Sequence, residues 1–146
     1  MNIEPIQILF RLILAAVLCG IIGFEREYRH KPAGIRTNAL VGIGTALFTI
    51  VSISFQDLQG ATGVDPSRVA STVLTGIGFI GAGTIMQSRG IVKGLTTAAS
   101  IWVAAAIGMA IGMGLIVPAI IAEILVIIVL VSLRNLRIEE EEEKNI

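Results

Sequence analysis

Five long apolar runs constrain the fold of this chain more than any other feature of its sequence. A helix needs about 20 apolar residues to cross a bilayer core of roughly 30 Å, and each run is about 19 residues long. The last two runs are nearly continuous, so the chain is expected to reverse at Gly112-Met113-Gly114. The sequence therefore predicts an all-α, polytopic membrane bundle of about five transmembrane helices. The predicted spans are residues 6–24, 37–55, 69–87, 95–113 and 115–133.

The composition supports a membrane protein and excludes several other classes. Hydrophobic residues make up 54% of the chain and charged residues 15%, against roughly 25% charged residues in a soluble domain. The net charge is zero because a run of acidic residues, Glu139–Glu143, balances a basic body. That body carries no nucleic-acid-binding patch. The single cysteine, Cys19, excludes a disulfide within the chain.

Both ends of the sequence lie outside the predicted spans. The leader Met1–Pro5 contains no basic residue, which disfavours a cleaved signal peptide, so the first span is expected to be retained. Residues 1–137 are predicted to form the transmembrane domain. Residues 138–146 are predicted to be an acidic disordered tail, because a block of like charge repels itself and buries nothing.

The distribution of Lys and Arg predicts the direction of the spans, because basic residues concentrate on the cytoplasmic side of a membrane. In a five-span arrangement, Arg11 and Arg68 lie toward one side and all other basic residues lie on the opposite side. The N-terminus is therefore predicted outside and the C-terminus in the cytoplasm. The residues assigned to the cytoplasmic side are Arg26, Arg29, Lys31, Arg36, Arg89, Lys93, Arg134, Arg137 and Lys144.

Glycines mark the third and fourth spans. The spacing Gly76-x-Gly78-x-x-Gly81 matches the dinucleotide-binding fingerprint, but that fingerprint needs a preceding strand and an acidic residue about twenty positions later. No acidic residue follows before Glu123. In a membrane helix, glycine instead lets a second helix approach closely. The predicted helix-packing glycines are Gly76, Gly78, Gly81, Gly83, Gly108 and Gly112.

Two ionisable residues lie within the spans, where a charge is costly and usually functional. Glu123 is near the middle of the fifth span, and Arg11 is about a turn and a half inside the first. Three interpretations remain open. Arg11 and Glu123 form a structural ion pair, or Glu123 binds a cation or a proton, or Arg11 extends toward the lipid headgroups.

A charged segment follows the first span. The residues Glu25-Arg26-Glu27-Tyr28-Arg29-His30-Lys31 either anchor the helix in solvent or form a binding surface for a partner or an anionic lipid headgroup. The spacings Glu25–Arg29 and Glu27–Lys31 predict ion pairs that extend the first helix beyond the membrane.

A second charged segment precedes the third span. Asp65 is predicted to cap the third helix, with Pro66 at its first position. The carboxylates of Asp57 and Asp65, near Arg68, could also attract a hydrated divalent cation such as Mg²⁺.

No catalytic set is visible in the sequence. His30 is the only histidine, and it lies in the charged segment after the first span. The sequence therefore offers no Ser/His/Asp set. The hydroxyl residues Thr96, Thr97 and Ser100 are interpreted as packing residues of the fourth helix. The chain is predicted not to be an enzyme and to need no cofactor, with association of Mg²⁺ left open.

The sequence contains five ordered blocks, Gly23–Glu27, Lys31–Thr37, Asp65–Ala70, Gly76–Gly83 and Gly94–Trp102. In this order they resemble the signature of the MgtC/SapB family, and the resemblance covers about residues 6–133. The resemblance implies a bacterial inner-membrane protein of about five helices that is linked to growth in low magnesium. It also implies a protein partner, since some members are thought to inhibit the proton-driven ATP synthase. Many members carry a soluble C-terminal domain, whereas this sequence has a short acidic tail there.

The leading hypothesis is a regulator of ion, chiefly magnesium, homeostasis that acts through a membrane protein partner such as an ATP synthase or a transport ATPase. The alternative is a small homo-oligomeric transporter or channel for magnesium or another cation, with Glu123 as its best residue. Both hypotheses draw on one set of candidate polar residues: Glu25, Arg26, Glu27, Arg36, Asp65, Arg68 and Glu123.

Overall fold

Five helices and one hairpin form the part of the chain that the computed structural model describes, which is residues 3–59, 65, 67–88 and 91–132. The predicted all-α membrane helical bundle is confirmed. The predicted tail 138–146, Pro66 and the side chain of Asp57 lie outside the described part. The elements are α1 (Pro5–Tyr28), α2 (Ile35–Gln59), α3 (Ser67–Ala82), β1 (Met86–Ser88), β2 (Ile91–Lys93), α4 (Leu95–Met113) and α5 (Ile116–Ser132).

The helices fall into two classes by length. Among the described residues, three segments are long and apolar enough to cross a bilayer, namely Pro5–Tyr28, Ile35–Phe55 and Leu95–Met113. The helices α3 and α5 are apolar but shorter. With 16 residues, α3 is about 24 Å long, less than the thickness of a bilayer core. The five-span count and the orientation of the chain stay predictions.

Helix α4 lies at the centre of the bundle and packs against each of the other four helices. Small and β-branched side chains fill its buried positions, among them Ala104, Ala105 and Ile107. Such residues let helix backbones approach and gain van der Waals contact, which replaces the hydrophobic drive that lipid removes. On the α1 side, the Cys19 thiol donates a hydrogen bond to the Ala104 carbonyl at 3.3 Å.

Glycines set the spacing between α2 and its two neighbours. A Cβ on Gly112 of α4 would lie 2.6 Å from the carbonyl oxygen of Ala46, and one on Gly108 would lie 2.6 Å from that of Gly42. Gly42 in turn faces α1, where a Cβ would lie 2.6 Å from the sulfur of Cys19. No side chain fits at these distances, so α2 is held between α1 and α4 at backbone contact.

The end of α3 differs from the sequence-based prediction. The predicted span 69–87 continues to Gln87, whereas α3 ends at Ala82. The following residues form an antiparallel hairpin of β1 and β2 in which Met86 pairs with Lys93. The hairpin was not predicted.

Local chemistry explains both ends of the segment that contains the hairpin. The Thr84 hydroxyl donates to the Gly81 carbonyl at 2.7 Å and thereby ends α3. Gly94 has a φ of 92°, a left-handed conformation that favours glycine and turns the chain into α4. Periodicity alone does not separate a short apolar strand from a continuing helix. The predicted span therefore runs past Ala82, where α3 ends.

The reversal between α4 and α5 lies where the sequence predicted it. Gly114 follows the last residue of α4 and has a φ of 86°. Its N–H donates to the Ile111 carbonyl at 2.9 Å, and the N–H of Leu115 donates to the Ala110 carbonyl at 2.8 Å. This pattern satisfies carbonyls at the end of α4 and lets α5 fold back on the bundle.

Candidate functional site

A charge cluster, formed by Glu25, Arg26 and Arg29, lies at the end of α1. Glu25 and Arg26 are only 8% and 6% exposed, so these two residues are not part of a solvated anchor. Arg29 Nε lies 2.6 Å from Glu25 Oε1, which confirms the predicted i,i+4 pair. Arg26 Nη1 lies 3.5 Å from Glu25 Oε2. One carboxylate therefore faces two guanidinium groups, and the cluster keeps a net positive charge.

A buried asparagine that the sequence reasoning missed lies near the start of α2, at the same end of the bundle as the charge cluster. Asn38 is fully buried in the second turn of α2, and its Nδ2 donates to the carbonyls of Ala33 and Gly34 at 2.5 and 3.1 Å. Among the described residues, Asn38 Oδ1 and Arg26 Nε are buried without a hydrogen-bond partner. Buried polar atoms are normally paired, so this end of the bundle keeps one acceptor and one donor unused.

Glu27 is exposed and caps α2, whereas the sequence predicted an ion pair with Lys31. Its Oε2 accepts a hydrogen bond from the N–H of Ile35 at 3.1 Å, which satisfies one of the free donors at a helix N-terminus. The turn is tight, since a Cβ on Gly23 would lie 2.6 Å from the Gly34 carbonyl oxygen. In the described part, the Glu27 carboxylate forms no ion pair with Lys31.

A hairpin face, formed by Met86 and Ile91, lies at the same end of the bundle, because α1 and α4 run antiparallel, with Arg11 of α1 bonded to Gly112 near the end of α4. Met86 pairs with Lys93 and Ile91 pairs with Ser88, so Met86, Ile91 and Lys93 stand on one side of the sheet and Val92 stands on the other. Met86 is 65% exposed and Ile91 is 57% exposed. The neighbouring Lys93 is exposed, and so is Arg36 of α2. This end of the molecule therefore presents apolar side chains on a short sheet together with exposed positive charge.

Glu123 and Arg11 do not form an ion pair. The guanidinium of Arg11 donates to the carbonyl of Gly112 at 2.8 Å and so satisfies the end of α4. Glu123 is 5% exposed, and neither of its carboxylate oxygens has a hydrogen-bond partner in the described part of the chain. It lies one turn after Ala119, the other buried residue of α5. Residues 3–59, 65, 67–88 and 91–132 contain no cluster of three or more His, Cys, Asp or Glu side chains that could hold a metal ion.

An α2–α3 groove of about 770 Å³ runs between those two helices. Arg68 lines the groove, whereas Asp65 does not. Asp65 is exposed, and its backbone carbonyl accepts the N–H of Arg68 at 3.2 Å, as expected before the first turn of a helix. The lining residues are Leu40, Val41, Gly44, Thr45, Phe48, Arg68, Val69, Thr72, Val73, Gly76, Ile77 and Ile80.

The predicted packing glycines of α3 have different surroundings. A Cβ on Gly81 would contact Ala98 of α4 at 3.6 Å. Among the described residues, a Cβ on Gly76 or on Gly78 would meet nothing within 4 Å, and one on Gly83 would meet only the carbonyls of its own helix end. Gly76 and Gly78 are thus not packed in this chain, whereas Gly108 and Gly112 lie against α2.

Comparison with known proteins gives consistent relatives. The family model described as the MgtC family matches residues 12–138. YhiD of Escherichia coli (strain K12), which carries the name of a candidate magnesium transporter, is 51% identical over 127 residues, covering 85% of this chain and 59% of YhiD. Protein MgtC of Brucella abortus (strain 2308) is 45% identical over 122 residues, covering 84% of this chain and 49% of the relative.

The chain matches only part of each of these relatives. The chain spans about half to three-fifths of the length of the curated relatives that it matches. No solved structure matches the chain.

Proposed function

The chain belongs to the MgtC family, and from that membership we propose that it is a non-enzymatic protein of the bacterial inner membrane that regulates magnesium homeostasis by binding another membrane protein. It works without a bound cofactor. The partner is an ATP synthase or a transport ATPase. Both are membrane complexes that move ions, so a small membrane protein that binds one of them can influence ion gradients.

The observation that carries this proposal is the exposure of the hairpin face. A two-stranded hairpin is marginally stable in water, and its two outer edges offer unpaired backbone groups to another chain. Met86 and Ile91 stand exposed on that hairpin, beside the exposed positive charge of Lys93. A protein surface with apolar residues and a carboxylate would cover the apolar side chains and pair with the lysine.

Site-specific crosslinking tests this proposal. A photo-reactive amino acid at Ile91 is expected to crosslink a second membrane protein in intact cells, because Ile91 lies on the exposed hairpin face. The matched control is Ile121, an exposed isoleucine on α5, which should crosslink no protein. The identity of the product is read by mass spectrometry. Equal protein crosslinking from both positions, or none from Ile91, would contradict the proposal.

A small cation transporter is the second candidate, and the environment of Glu123 favours it. A buried carboxylate without a hydrogen-bond partner is an unusual group inside a membrane and is commonly part of an ion or proton path.

Flux measurements separate the two candidates. If the chain is a regulator, liposomes that contain the purified protein should take up Mg²⁺ no faster than protein-free liposomes. Magnesium uptake by the wild-type protein that is abolished by Glu123→Ala and retained by Glu4→Ala would establish the transporter instead. Glu4 is a suitable control because it is exposed and its side chain caps no helix.

A further inference from the structure

The α2–α3 groove has an apolar wall and one cationic end. Among the residues that the structure describes, its lining contains one arginine, Arg68, and no acidic residue. The hydroxyls of Thr45 and Thr72 also line it, but both are already used, because Thr45 donates to the Val41 carbonyl and Thr72 to the Arg68 carbonyl, each at 2.9 Å. The groove wall therefore offers little to a polar solute and much to an apolar chain.

The length of the groove matches the depth of one lipid leaflet. Arg68 lies in the first turn of α3, and Ile80 lines the opposite end of the groove. Twelve helical residues separate them, a distance of about 18 Å. One leaflet contributes about half of a 30 Å hydrocarbon core, roughly 15 Å. A cation at one end of an apolar groove of this length suits a molecule with an anionic head and one extended tail.

The charge of the groove favours one kind of occupant. Its free volume of about 770 Å³ extends over about 18 Å along α3 and is lined almost wholly by apolar side chains. An extended acyl chain suits such an apolar groove, and the positive charge of Arg68 at one end complements an anionic headgroup.

We propose that the α2–α3 groove binds an anionic phospholipid, with its phosphate on Arg68 and one acyl chain along the groove. Arginine suits this role because its guanidinium donates two parallel hydrogen bonds to a phosphate. Gly44 and Gly76 line the groove, and a Cβ at either position would meet nothing within 4 Å. Their lack of side chains leaves room for the acyl chain. The site is distinct from the charge cluster and from the hairpin face, so it stands independently of the proposed partner.

Lipid retention by the purified protein tests the headgroup contact. Phosphatidylglycerol is added to detergent-solubilised protein, and the bound lipid is counted by native mass spectrometry, with phosphatidylcholine as the zwitterionic comparison. Arg68→Gln is expected to weaken phosphatidylglycerol binding about tenfold, the loss of one charge-assisted contact. The charge-matched control Lys31→Gln, at an exposed cation outside the groove, should retain wild-type binding. Equal binding by Arg68→Gln and the wild type would overturn the proposal.

Filling the groove tests the acyl-chain contact separately. Gly76→Leu places a side chain in the groove, whereas Gly78→Leu places one on α3 outside it. Both positions have open space around the new Cβ, so both variants should fold. Gly76→Leu is expected to lose bound phosphatidylglycerol, and Gly78→Leu to keep it. Retention of lipid by Gly76→Leu would overturn the proposal, and so would loss of a protein subunit in place of lipid, which would identify a second copy as the occupant.

Discussion

Replacing Gly112 with leucine is expected to separate α2 from α4 and to destabilise the folded protein by about 3 kcal/mol or more. A Cβ there would lie 2.6 Å from the Ala46 carbonyl oxygen and 2.7 Å from Thr49 Cβ. The Ala46 oxygen is a backbone atom of a packed helix, so it cannot move without shifting α2. The carbonyl of Gly112 also accepts the hydrogen bond from Arg11, so a shift of α4 would disturb that contact too.

The measurement is thermal unfolding of the detergent-solubilised protein, followed by size-exclusion fluorescence. Gly78→Leu is the matched control, because it adds the same side chain to a helical glycine whose Cβ would meet nothing within 4 Å. The control should unfold at the wild-type temperature. If Gly112→Leu did so as well, the close crossing of α2 and α4 would not be a determinant of the fold.

Two pairs of glycines show how much of the helix packing could be predicted from the sequence. The spacing Gly108-x-x-x-Gly112 predicted a close crossing, and the helix that lies against it is α2. Gly76 and Gly78 fit an equally good pattern, yet a Cβ on either would meet nothing within 4 Å in the described part of the chain. A glycine pattern marks a helix that permits close approach, but which face meets a neighbour depends on the arrangement of all five helices. That arrangement is non-local and leaves no signal in the spacing.

Polar contacts were the least predictable part of the candidate site. Arg11 and Glu123 lie at compatible depths in their spans, which made an ion pair reasonable, but Arg11 bonds a backbone carbonyl at the end of α4. An unsatisfied carbonyl at a helix end is not visible as a charge in the sequence. Asn38 gave only a weak signal, a lone amide in an apolar span, although it is fully buried.

The charge cluster was predictable in its pairing but not in its burial. The spacing of Glu25 and Arg29 predicted their ion pair, which is present. Burial of Glu25 and Arg26 depends on how other helices pack around the end of α1, where the chain leading into α2 lies against Gly23. The sequence does not specify that packing. Once buried, the cluster becomes energetically important, because removal of one partner leaves the others with an uncompensated charge.

Glu25→Gln is therefore expected to destabilise the protein by about 3 kcal/mol or more, the typical cost of breaking a buried ion pair. Glutamine keeps the shape of the side chain but removes the negative charge that faces Arg26 and Arg29. The side chain of Arg26 is 7% exposed, so its charge has little access to water. Thermal unfolding at neutral pH measures the loss, with Glu4→Gln as the control at an exposed carboxylate.

A double variant separates lost pairing from lost packing in the same cluster. Glu25→Gln combined with Arg26→Met removes both buried charges but keeps the length of the Arg26 side chain, and Arg29 is exposed enough to turn toward solvent. If the single variant is unstable because Arg26 is left unpaired, the double variant should recover much of the loss. A double variant as unstable as Glu25→Gln would show that Glu25 stabilises the helix ends through its shape and hydrogen bonds and not through its charge.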